Sequence, residues 1–122
     1  MTSSDQTLSV ALRFIDEHIA SPEELELLIA IVGMPTRWWD SAHVSYDLGI
    51  PVGSARRMLE RFAAANLLDI RLTGDVRYQF RPGTQQLHDG ALAVAAAYRT
   101  QPTALLQRFA RFSDFGNSHR KA

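Results

Sequence analysis

The chain has 122 residues, 46% of them hydrophobic, enough apolar surface to bury one ordinary core and too little length for a large multidomain enzyme. Basic and acidic residues balance at 13 each, so coating nucleic acid by bulk charge is excluded and any basic site has to be local. Cysteine is absent, which excludes disulfides and thiolate metal sites, and no apolar run approaches the roughly 20 residues of a membrane helix.

Leu8, Leu12, Ile15 and Ile19 recur at four, three and four residues and predict a first helix over 7–20 with one narrow apolar seam. Ser21-Pro22-Glu23-Glu24 then supplies an N-cap, a proline at the first helical position and acids in the first turn. The second helix that starts there carries Leu25, Leu28, Ile29 and Val32 and is expected to stop near Gly33, because Pro35 cannot continue it. Of the adjacent Trp38 and Trp39, one is expected to fill the gap behind the next helices while the other is partly exposed. Asp40 or Ser41 caps a short third helix in which Val44 and Leu48 share a face, and Gly49 ends it in a left-handed conformation.

Ser54 is expected to cap a fourth helix that buries Ala55, Met58, Leu59 and Phe62, with Leu67 just beyond, and exposes Arg56, Arg57, Glu60, Arg61 and Ala64. From Leu68 the period falls to two. Leu68, Ile70 and Leu72, then Val76, Tyr78 and Phe80, alternate with polar residues around Thr73-Gly74-Asp75, which predicts a β-hairpin with one apolar and one arginine-bearing face. Helix returns after Pro82-Gly83, with Leu87, Ala91, Val94 and Tyr98 as a second seam, and Pro102 opens a last helix with Leu105, Phe109 and Phe112. One domain over 1–115 is expected, with a flexible tail over 116–122.

The order short helix, glycine turn, second helix, two-stranded hairpin runs from Ser41 to Arg81. Leu48-Gly49-Ile50-Pro51-Val52-Gly53-Ser54-Ala55-Arg56-Arg57-Met58-Leu59, followed by Ala65-Asn66-Leu67-Leu68, resembles the winged helix-turn-helix superfamily. With Trp38-Trp39 and Val44, the whole chain is similar to a group of small uncharacterised bacterial winged-helix proteins. The resemblance implies a mainly α fold with a small β-hairpin: a helix-turn-helix over 41–67, a wing over 68–81, a flanking N-terminal helix and C-terminal helices over 84–113. It also implies a DNA-binding transcriptional regulator that works as a homodimer on double-stranded DNA.

A helix fits the major groove, where arginine's fork matches guanine, while serine and a close backbone approach at a glycine suit phosphate. Gly53, Ser54, Arg56, Arg57 and Arg61 are the candidates on the helix, and Arg71, Arg77 and Arg81 on the wing. Charge partition agrees: residues 1–40 carry seven acids and two bases, whereas 51–81 carry six arginines against three acids. The seams Leu8, Leu12, Ile15, Ile19 and Leu87, Ala91, Val94, Tyr98 are candidate dimer contacts, the alternative being that both bury within the chain. A winged-helix module that meets a protein of the transcription machinery, without DNA, is the competing function.

No enzyme is expected, because no nucleophile, base and metal cluster occurs at usable spacing. His18, His43, His88 and His119 are far apart, so no metal or other cofactor is expected. The polar start from Met1 to Gln6 lacks the basic-then-apolar layout of a secretory signal, so a cytoplasmic location is expected.

Overall fold

Helix α1 (Thr2–His18) opens earlier than its apolar stripe and closes at His18 rather than Ala20. The computed structural model describes residues 2–110, with side chains from 5 to 110. Ala11, Phe14 and Ile15 form the buried face of α1, continued by Ile19, while Leu8 and Leu12 are only half-buried. Helix α2 (Pro22–Gly33) begins as its local chemistry dictates, with the Ser21 hydroxyl accepting the Glu24 N–H at 3.2 Å. Leu25, Leu27, Leu28 and Ile31 are all buried, so α2 is apolar around more of its circumference than a surface helix. The later elements α5, α3 and β3 all pack on it.

Trp38 and Trp39 form a short strand, β1 (Trp38–Trp39), that the sequence reading did not foresee. It pairs antiparallel with β3, Trp38 opposite Gln79 and Trp39 opposite Tyr78, and so turns the expected hairpin into a three-stranded sheet of order β1-β3-β2. Trp39 is fully buried and Trp38 half-buried, as expected of the pair. Helix α3 (Ser41–Leu48) is capped by Asp40, whose carboxylate accepts the His43 N–H at 2.8 Å, and ends at Gly49 with φ 67°.

Helix α4 (Val52–Ala64) starts two positions before Ser54, with Pro51 at the N-cap and no capping side chain. The correction has a simple cause: Pro51 sits at φ −59°, which already suits helix entry, and its missing N–H costs nothing there. Ala55, Met58, Leu59 and Phe62 are buried as expected, and Leu67 follows them into the core. The hairpin consists of β2 (Leu68–Thr73) and β3 (Asp75–Phe80), joined through Gly74 at φ 83°. Its base is anchored by Leu68, Tyr78 and Phe80, but the apolar side chains nearer the tip are not covered, with Leu72 75% exposed and Ile70 and Val76 also open. The hairpin outruns the core.

Helix α5 (Gln85–Thr100) is capped by Thr84 and lies along α1. The two approach so closely at Gly90 that a β-carbon there would stand 2.5 Å from the Phe14 ring. Residues 102–110 form a further helix whose Leu105 is buried and whose Arg108 pairs with Asp16 of α1 at 3.1 Å. Phe112, Phe115, the expected helix end at 113 and the tail over 116–122 lie outside the described residues.

Candidate nucleic-acid interface

The buried face of α4 fixes where its arginines go. With Ala55, Met58, Leu59 and Phe62 turned inward, helical spacing sends Arg56, Arg57 and Arg61 outward, and all three are exposed. Gly53 and Ser54 lie half-buried in the first turn, and Arg57 donates to the Ser54 hydroxyl at 3.3 Å. In the hairpin, strand alternation turns Trp39, Tyr78 and Phe80 toward the core and leaves Trp38, Arg71, Arg77, Gln79 and Arg81 on the outer face. Arg71 and Arg77 stand directly opposite each other across β2 and β3. The Arg71 guanidinium reaches across the sheet to lie 4.6 Å from the centre of the Trp38 ring.

Among the described residues no carboxylate pairs with Arg56, Arg57, Arg71 or Arg77. Arg81 is held loosely by Asp69 at 3.6 Å. Asp40, at the head of α3, feels the Arg77 charge and is bonded through its other oxygen to the His43 ring at 2.8 Å. Burial pushes the Asp40 carboxyl up, but the His43 hydrogen bonds and the charges of His43 and Arg77 outweigh it and hold the group below its ordinary 3.8. A depressed carboxyl pKa contributes stability above the unfolded value, lost as pH falls through the folded one. Asp40→Asn keeps a capping side chain that cannot ionise, so urea melts should show a shallower loss of stability below about pH 4 than the parent. Asp40→Ala should cost about 1 kcal/mol at neutral pH.

The path of the chain, four helices ahead of a sheet-bound hairpin with α3 and α4 joined by a glycine turn, has solved counterparts. The chain is similar to the protein RV1404 of Mycobacterium tuberculosis, with a TM-score of 0.55 and 14% identity over 97% of this chain and 87% of that one. It is also similar to a possible transcriptional regulator from Methanosarcina mazei, with a TM-score of 0.51 and 15% identity over 85% and 86% of the two chains. A transcriptional regulator from Thermotoga maritima aligns with a TM-score of 0.51 and 12% identity over 95% and 85%. The fold is a winged helix-turn-helix. No family model matches the sequence, and no curated protein matches it. At identities this low the likeness is one of fold.

In this winged helix-turn-helix, α4 is the second helix of the helix-turn-helix and β2–β3 is the wing. Arg61 does not join the open arginines. Its Nε lies 3.0 Å from Glu24, a carboxylate only 4% exposed, and its guanidinium also donates to the His18 carbonyl at 3.3 Å. Glu24 in turn accepts the Ala20 N–H at 2.8 Å, so Arg61 ties the end of α4 to the α1–α2 junction. The spacing Ser21-x-x-Glu24 was a signal for Glu24's capping role, although its long-range partner was not legible. Arg61→Ala should cost about 2 kcal/mol in urea melts, because it leaves a buried carboxylate unpaired. Glu24→Gln, which keeps an acceptor, should cost less.

The two seams offered for dimerisation face each other within the chain. Ile15, Ile19, Ala91 and Val94 are buried in the core that α1 and α5 share, and Leu8, Leu12, Leu87 and Tyr98 are half-buried against it. A period of 3.5 residues marks a face that packs, not the molecule it packs on. Among the described residues no group of three side chains suited to hold a metal occurs, and no helix is long and apolar enough to cross a membrane.

Proposed function

We propose that the chain is a cytoplasmic DNA-binding transcriptional regulator of the bacterial winged-helix kind, acting as a homodimer. The observation that carries the reading is that Arg56, Arg57, Arg71 and Arg77 stand exposed on α4 and the wing with no carboxylate partner among the described residues. Four open arginines on two neighbouring elements of a charge-balanced chain make a local basic patch, which suits a polyanion. Gly53, Ser54, Arg56 and Arg57 then enter the major groove, while Arg71, Arg77 and Arg81 lie along the adjoining backbone. Arg61 serves as scaffold. The dimer uses the outer remainder of the terminal helices, where Val10, Leu92 and Leu106 are exposed, and places two recognition helices about one turn of DNA apart.

A fluorescence anisotropy titration with random-sequence duplex tests this. Five arginine contacts per protomer give an expected slope of about −4 to −5 for log K against log salt per protomer bound. Absence of binding at low salt counts against the reading, and sedimentation of the same sample reads the dimer separately. One observation favours a second reading, a module that docks on a protein without DNA. Ile70, Leu72 and Val76 on the wing and Tyr46 on α3, the last 87% exposed, offer apolar surface for which phosphate contact has no use.

A further inference from the structure

The outer face of the wing contains an arrangement that is costly in isolation. Arg71 and Arg77 are directly opposed cations on paired strands, a placement that destabilises a sheet unless something compensates. Asp40 offsets part of the Arg77 charge from the end of β1, but among the described residues no carboxylate pairs with Arg71. Arg71 instead crosses β3 to the half-buried indole of Trp38, 4.6 Å away, on the far strand of the sheet. Gln79, which lies beneath this span, is already committed to the Thr36 carbonyl at 2.7 Å and does not compete. Stacking over an indole engages the π face of a guanidinium and leaves its in-plane N–H donors open. The contact biases the Arg71 guanidinium toward one position on the face it shares with Arg77, so less rotamer entropy is lost when an anion arrives.

We propose that Trp38 is a positioning residue for DNA binding: its ring seats Arg71 so that Arg71 and Arg77 together hold one backbone phosphate on the outer face of the wing. This rests on the duplex-binding reading above and adds to it a residue that touches no DNA itself. The ligand is a phosphodiester oxygen pair, matched by two guanidinium groups whose mutual repulsion the phosphate relieves.

The test is a double-mutant cycle on the full chain, read by duplex affinity over a salt series, with Trp38→Leu, Arg71→Ala and the pair. Arg71→Ala should weaken binding and, because Arg77 keeps the shared phosphate neutralised, lower the salt slope by less than one. Trp38→Leu should weaken binding about two- to fivefold when Arg71 is present, the worth of an exposed cation–π contact, and should change nothing further when Arg71 is already alanine. Trp38→Phe, which keeps a π face, should restore most of the loss. Arg71→Lys keeps the charge but not the planar stack, so it should fall about as far as Trp38→Leu and covers the case in which that variant does not fold. An equal Trp38→Leu penalty in both backgrounds identifies Trp38 as packing only and overturns the proposal. Tighter binding by Trp38→Leu overturns it too, since Arg71 would then be held away from its phosphate. A parent protein that binds duplex normally while Arg71→Ala does the same overturns the clamp alone; a parent that does not bind overturns the duplex reading and the clamp with it.

Discussion

Replacing Arg56, Arg57 and Arg77 together by alanine should weaken duplex binding by about a hundred- to a thousandfold, with little change in melting temperature. Each charge-assisted contact of this kind contributes about 1–3 kcal/mol, and at the low end of that range three of them reach this loss. Stability should hardly move, because the three side chains are exposed and none has a carboxylate partner among the described residues. Removing Arg77 also relieves its repulsion with Arg71 and withdraws a favourable charge from Asp40, two small terms of opposite sign. The same variant separates the competing functions. A protein-docking module built on Leu72, Val76 and Tyr46 would keep its partner after the substitution, whereas a DNA regulator would lose duplex and melt as before.

Trp39→Ala should be the most damaging single change to the fold, at about 3–5 kcal/mol. The ring is almost wholly buried, and its strand position opposite Tyr78 joins the sheet to the helical core. The Arg37 guanidinium closes over it at 4.1 Å. Against a total stability of about 5–15 kcal/mol for a domain of this size, the variant should be partly unfolded in thermal melts. Trp39→Phe should cost far less. Its cavity is smaller, and the aromatic ring stays in place opposite Tyr78.

What the sequence disclosed and what it withheld divide along the range of the forces involved. Ser21 before α2, Pro22 at its first position, Asp40 before α3 and Gly49 after it act on their own neighbours, and each stands where local chemistry put it. The alternation from Leu68 to Phe80 likewise gave both strands, because period two needs no knowledge of the rest of the chain. Ser54 misled for a local reason, since a good capping residue lay two positions inside a helix that Pro51 had already started. The remaining differences are tertiary. β1 is two residues long and exists only because β3 offers it a register. The apolar side chains of the wing tip are exposed because the hairpin extends past the core, a length that alternation cannot report.

The candidate site shows the same division. Helical and strand periods placed Arg56, Arg57, Arg71 and Arg77 on outer faces, and they are there. Separating Arg61 from them required its buried partner Glu24 on α2, and seeing Arg71 as biased toward one position required Trp38 across an intervening strand. Both partners are distant in sequence, so only the fold brings them in.

The most direct test follows the arginine side chains themselves, through their Nε–H resonances in 15N-labelled protein titrated with duplex DNA. A DNA-facing recognition helix and wing predict shifts at Arg56, Arg57, Arg71 and Arg77, with Arg61 and Arg108, held by Glu24 and Asp16, left in place. Shifts confined to Arg13 on α1 or Arg99 on α5, with those four unmoved, would contradict it.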